Sequence, residues 1–195
     1  ELATSCKNSA TQHQVAANWY KQAAEALFQG DLQKGERFQS AADAAESSAL
    51  NLSFASKALE KALKAEAQGK QELATSWKNK ATKNVLLANC YQQAAGNLLQ
   101  GDLKKGARFK TAAEAAESSA FNLSSASNAL EKALKAEAEG KQELATSWKN
   151  SATQYQLLAN WYRQAAEVLI QGDSEKEACY KTAAEAAEKS ATRLT

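Results

Sequence analysis

Side chains that could do chemistry are few in this chain and far apart. Its 195 residues include one histidine, His13, and three cysteines, Cys6, Cys90 and Cys179, with no methionine and no proline. A single imidazole cannot build a His-rich metal or acid–base centre, and cysteines spaced this widely form no C-x-x-C pair of the kind that binds zinc or exchanges disulfides. No Glu-x-x-His pair is available for a metal site inside a helical bundle. No G-x-x-x-x-G-K-[ST] or G-x-G-x-x-G stretch follows a strand to cradle a phosphate. Carboxylates are plentiful, but they recur at regular positions such as Glu46, Glu117 and Glu188, which suits a solvated helix surface rather than a cleft with convergent polar groups. The expectation is a non-enzyme with no catalytic, cofactor-binding or metal-binding residues.

Charge excludes two further classes. Lys plus Arg number 24 against 22 Asp plus Glu, a formal net charge of +2, too small for a nucleic-acid or membrane-surface partner. Lys104, Lys105, Arg108 and Lys110 make the one notable basic cluster. No apolar run approaches the roughly 18 residues of a membrane span. The opening ELATSCKNSATQHQ has neither the basic nor the apolar region of a signal peptide. Beginning at Glu1 is expected of a piece of a longer protein, and the compartment stays unassigned.

The elements that carry these residues are set by internal repetition. ELATS occurs at Glu1, Glu72 and Glu143, so the sequence divides into copies 1–71, 72–142 and a partial 143–195 of one repeat array. Within each copy Gly30, Gly69, Gly101, Gly140 and Gly172 alternate at separations of 39 and 32 residues. Glycine ends a helix in the left-handed conformation without a Cβ penalty, and Asp31, Asp102 and Asp173 can cap the helix that follows. Between the glycines the composition is Ala, Leu, Glu, Lys, Gln and Ser, all compatible with helix. The fold expected is all-α, an antiparallel stack of six long helices at about 2–29, 32–68, 71–100, 103–139, 142–171 and 174–193. The longer segments gain about two turns, which requires a stagger, a superhelical drift or a break near Ser47 to Ser53. Gly35 and Gly106 become Glu177 in the third copy, and Gly96 is Glu25 or Glu167 elsewhere, so backbone geometry does not demand glycine there.

Apolar spacing supports helices with more than one contact face. Cys6, Ala10, His13, Ala17, Tyr20, Ala24 and Leu27 form a heptad seam on the first helix. Alanine at such contacts lets helix axes approach at the close end of the usual range of about 8–10 Å. His13, which is Asn84 and Tyr155 in the other copies, is expected to be a partly buried structural residue. Cys6 alternates with Trp77 and Trp148, and Cys90 with Trp19 and Trp161, as apolar fillers do.

The pattern Tyr20-x-x-Ala23-Ala24-x-x-Leu27-x-x-Gly30-Asp31, with Phe38 and Ala42 on the next helix, resembles the tetratricopeptide repeat. Ala74 and Ala81 after Gly69, and Ala145 and Ala152 after Gly140, extend the resemblance. Here the aromatic stands eight residues after the glycine instead of nine, and the repeat-ending proline is absent. The chain is thus similar to a tetratricopeptide-like α-solenoid in which two short helices have fused into one long helix. It also has a likeness to Ala-rich helical repeat proteins. The resemblance implies a helical-repeat scaffold for protein–protein interaction; the alternative is a purely structural spacer or a self-assembling element of a larger surface or secreted repeat protein. The partner expected is a protein or another copy, and the candidates to touch it are Trp19 and Trp161, which point about 100° away from the seam tyrosines Tyr20 and Tyr162; the alternative is that each packs against the next helix of the stack.

Gly101→Val is expected to lower the thermal midpoint through about 1–2 kcal/mol of left-handed strain, whereas Gly96→Ala should leave it unchanged or raise it. Calorimetry of the two variants checks this, and an unshifted Gly101→Val midpoint would rule out the turn.

Overall fold

The computed structural model describes residues 2–172 together with Lys176, Cys179 and Thr182, with side chains from Lys7 onward. Five helices follow one another: α1 (Leu2–Phe28), α2 (Leu32–Ala67), α3 (Gln71–Leu99), α4 (Leu103–Ala138) and α5 (Gln142–Gln171). The chain is all-α, but the count of six is not matched. The helix expected at 174–193, with Asp173 before it, falls outside the described residues except for Lys176, Cys179 and Thr182, each of which is helical.

Turn chemistry explains how one helix gives way to the next. Among the described residues the five with positive φ are all glycines: Gly30, Gly69, Gly101, Gly140 and Gly172, with φ between 71° and 86°. At the first turn the Gly30 N–H donates to Leu27 O and the Asp31 N–H to Ala26 O, both at 3.0 Å. This is the paired closure by which a left-handed residue satisfies the last carbonyls of a helix. The same pair recurs around Gly69, Gly101 and Gly140. The Asp31 carboxylate then accepts from Lys34 N at 3.0 Å and the Asp102 carboxylate from Lys105 N at 2.9 Å, capping α2 and α4. Lys70 and Lys141 precede α3 and α5 without a side-chain cap.

Each helix packs extensively only on its neighbours in the chain. Pairing is antiparallel: from one end of the α3–α4 pair to the other, Ser76 meets Ser127, Lys80 meets Ser124, and Leu98 lies over Gly106. No break near Ser47 to Ser53 accommodates the extra length, because α2 and α4 each run unbroken for 36 residues. The serines do not unwind the helix. Ser47 Oγ donates to the Asp43 carbonyl at 3.0 Å and Ser56 Oγ to the Leu52 carbonyl at 3.0 Å, so these hydroxyls bond back to their own helix.

The core is made mostly of alanine. One cluster joins Ala55, Ala58, Ala62 and Ala65 of α2 to Leu73, Trp77 and Ala81 of α3 and to Ala129 and Leu130 of α4. A second joins Leu87 and Cys90 of α3 to Ala112, Ala113, Ala115 and Ala116 of α4 and to Ala165, Ala166 and Leu169 of α5. Such small side chains require the helix axes to lie close together. At Gly106 an added Cβ would stand 2.9 Å from Cγ and Cδ2 of Leu98. Gly106 is buried with ordinary helical dihedrals, so packing, not backbone geometry, favours glycine there.

Gly106→Ala is accordingly expected to destabilise, because overpacking costs about 1–3 kcal/mol against a gain of about 1 kcal/mol in helix propensity. At Gly96, where nothing lies within 4 Å of an added Cβ, alanine keeps the propensity gain alone. Urea unfolding of the two variants should move their midpoints in opposite directions, and a stabilised Gly106→Ala would contradict the close approach.

Candidate functional site

The residues singled out by sequence do not converge. His13, expected on a partly buried seam, is exposed on α1. Cys90 is buried at the middle of the stack, and Cys179 is exposed more than one helix away in the chain. Burial pushes the Cys90 thiol up to about 11, the reverse of the shift that would activate a nucleophile. Among the described residues no group of three or more His, Cys, Asp or Glu could hold a metal ion, and no helix is long and apolar enough to cross a membrane. One cleft of about 180 Å³ is lined by Gly69, Leu73, Leu130, Ala133, Leu134 and Lys149, smaller than the roughly 300–1,000 Å³ of small-ligand pockets.

Trp19 and Trp161 stand on α1 and α5 and are both half-buried. Trp19 packs beside the cluster of Ala41, Ala44, Ala94, Ala95 and Phe109. The other two tryptophans have a different setting. Trp77 is buried with Lys61 Nζ at 4.1 Å and Lys80 Nζ at 5.0 Å from its ring centroid, and Lys132 Nζ lies 4.2 Å from that of Trp148. The Lys61 and Lys132 contacts join α2 to α3 and α4 to α5, whereas that of Lys80 lies within α3. The same two joints carry the ion pairs Glu66–Lys78 and Glu137–Lys149.

Tyr20 is tied to the neighbouring helix. Its hydroxyl lies 2.7 Å from Asp43 Oδ1 and 2.9 Å from Glu46 Oε2. Hydrogen bonding to Asp43, then burial, then the bond to Glu46, raise the phenol above its ordinary range. The equivalent Tyr91 is also raised, by burial first and then by Glu117 and Glu114. The recurring Glu46 and Glu117 thus stand beside a tyrosine. Asn51 and Asn122, each of which opens an Asn-Leu-Ser sequence that matches a glycosylation sequon, bond back to their own helices. Their Nδ2 atoms donate to the carbonyls of Ser47 at 2.8 Å and Ser118 at 2.9 Å, and Asn122 is buried.

The surface that sequence reasoning missed is the α1 seam itself. Ala10, His13, Ala17, Tyr20, Ala24, Leu27 and Phe28 are all exposed, Phe28 at 96%. Their counterparts Ala81, Asn84, Ala88 and Ala95 on α3 are buried, as are Ala152, Ala159, Ala166 and Leu169 on α5. Ser9, Ala16, Ala23 and Ala26 are buried where α1 packs onto α2, and Tyr20 and Leu27 reach α2 from the edge of the seam. The heptad was legible; which neighbour each face meets was not. Comparison with protein-family models and with curated proteins finds no match for this chain.

Raised Tyr20 and Cys90 both favour the protonated folded state. Their contribution to stability is complete below the ordinary cysteine value of 9.0 and is lost as pH rises; for Cys90 the loss spans 9.0 to about 11. Urea midpoints measured across that range should fall, and should fall less steeply in Cys90→Ala. Identical slopes for the two proteins would show that the thiol is not desolvated.

Proposed function

We propose that the chain is a non-enzymatic helical-repeat scaffold, similar to tetratricopeptide-like α-solenoids, that mediates protein–protein interaction. The observation that carries this reading is the exposed stripe of α1 in which Ala10, Ala17, Ala24 and Phe28 face solvent, while the counterparts Ala81, Ala88, Ala95, Ala152, Ala159 and Ala166 are buried. Isolated exposed apolar residues are ordinary on a soluble protein, whereas a continuous apolar face is a docking surface. The mechanism is geometric: long antiparallel helices hold the stripe straight and rigid, so a partner helix can lie along it in the manner of the internal joints. Trp19 flanks this stripe, and Trp161 offers a half-exposed ring two copies along; both are the aromatics proposed to touch a partner. The carboxylates stay with their neighbours, as in the Glu60–Lys64 pair at 2.6 Å, and supply solubility, not chemistry.

A photoreactive phenylalanine analogue at position 28 tests the proposal, with the same analogue at exposed Leu103 as control. Irradiation in cells or extract should give a discrete protein adduct from position 28 and none of that mass from position 103. Equal labelling from both, or no adduct from position 28, would overturn the interaction reading in favour of an inert spacer.

A further inference from the structure

α2 and α4 lie side by side across α3. Phe109 of α4 shares a cluster with Ala41 and Ala44 of α2, and Ala129 and Leu130 share one with Ala55 and Ala58. α2 runs antiparallel to α3, as α4 does, with Glu66 paired to Lys78 at one end and Arg37 beside Gly101 at the other. The two helices are therefore parallel to each other, and their outward faces make one surface. This surface does not depend on an end of the array. Helices pack on α4 from before and after it in the chain, yet Phe121 at its middle is 70% exposed. Leu50, at the same repeat position of α2, is also exposed, as is Phe54 one turn on.

Charge along this surface is ordered. On α2 the exposed residues run from Asp43 and Glu46 through Leu50 and Phe54 to Lys57 and Lys61. Asp43 stands seven residues before Leu50 and Lys61 seven after Phe54, so acid and base lie about 10 Å to either side of the apolar centre. α4 repeats the order with Glu114 and Glu117, then Phe121, then Lys132; Ser125 takes the place of Phe54 and Asn128 that of Lys57. A face ordered acid, apolar, base is complementary to itself when turned end for end. We propose that this face binds a second copy of the chain, α2 against α2 and α4 against α4, antiparallel about a two-fold axis level with Leu52 and Leu123. Leu50 then meets Phe54 of the second copy, Asp43 its Lys61, and Glu46 its Lys57. On α4 Phe121 lies over Ser125 of the second copy, which is small enough to admit the ring, and Glu114 meets Lys132. The charges are free to pair in this way. Tyr20 offers one O–H to Asp43 and Glu46, which leaves carboxylate acceptor sites open, and Lys61 and Lys132 lie over tryptophan rings with exposed side chains. Lys64 is held by Glu60 within α2 and takes no part. The apolar centre supplies affinity and the flanking charges fix the register. Because the contact is isologous, association closes at the dimer.

Sedimentation velocity of the 195-residue chain over a wide concentration range tests the proposal. The weight-average mass should rise with concentration to that of a dimer and stop there. Lys57→Glu sets like charges opposite Glu46 at both symmetry-related contacts and should weaken association at least about tenfold. Glu46→Lys should do the same against Lys57, while Tyr20 keeps its shorter bond to Asp43. Mixing the two variants in equal amounts should restore a dimer of the parent's affinity, since each altered residue then faces an opposite charge; the restored dimer also shows that both variants are folded. A monomer at every concentration overturns the proposal, as does a mass that grows past the dimer. Association indifferent to Lys57→Glu overturns it too, and so does a mixture no tighter than either variant alone. A dimer lost in Phe28→Lys but kept in Lys57→Glu would place the contact on the α1 stripe and overturn docking through α2 and α4.

Discussion

Alanine packed against alanine is the contact on which the rest of the structure depends. Each buried methyl removes little apolar area from water, about 0.8 kcal/mol per buried carbon, so no single side chain holds the fold. Cohesion comes instead from repetition along helices that reach 36 residues, about 54 Å at 1.5 Å per residue. Close axes place many atoms at contact distance, and dispersion accumulates over that length. Large side chains such as Trp77, Leu87 and Phe109 are buried singly among the alanines. This is also the reason for glycine at positions 35 and 106, where Leu27 and Leu98 press on the opposite helix.

The same constraint selects the polar groups that the interior admits. Ser48, Ser76, Ser119 and Ser127 are buried, and serine is close to alanine in size, so it keeps the axes near one another. Three of the four hydroxyls find a partner to offset the loss of water, and Ser48 Oγ, which has none, bears that cost. Ser127 donates to the Leu123 carbonyl and shares a hydrogen bond with Ser76, while Ser119 reaches across to Ala159. Hydroxyls that bridge two helices fix the register between them, which a featureless alanine face does poorly. Charged groups are kept to the edges of the joints, where Lys61, Lys80 and Lys132 lie over tryptophan rings while their ammonium groups stay near water.

Local chemistry was legible in the sequence and contacts between distant segments were not. Glycine recurring before Asp or Lys marks where the left-handed turns fall, because the need for positive φ is a property of one residue and its neighbours. The role of Gly106 is invisible locally, since it depends on Leu98 arriving from α3. Ser47 to Ser53 read as a weak point because serine is a middling helix former, yet its hydroxyls bond back to the helix and the ladder continues. His13 misled for another reason. Its heptad position was read correctly, but a heptad says which residues share a face and not whether a neighbour covers it.

The copies act as controls on one another, and this separates sequence from neighbourhood. Ala17, Ala88 and Ala159 are the same residue at the same repeat position, the first exposed and the other two buried. Among the described residues α3 and α5 each follow a helix packed against them, and α1 does not. A helix adapted to face water at the end of a stack is expected to trade its apolar seam for polar residues, since repeat arrays need a polar outer face for solubility. The N-terminal half of α1 shows no such trade: His13 stands where the packed copies have Asn84 and Tyr155, and Gln14 where they have Val85 and Gln156. Toward Gly30 the seam stays apolar, and Phe28 is larger than the Leu99 and Ile170 that match it. α1 therefore carries the face of an interior helix over the half that ends in Phe28, whose ring is exposed.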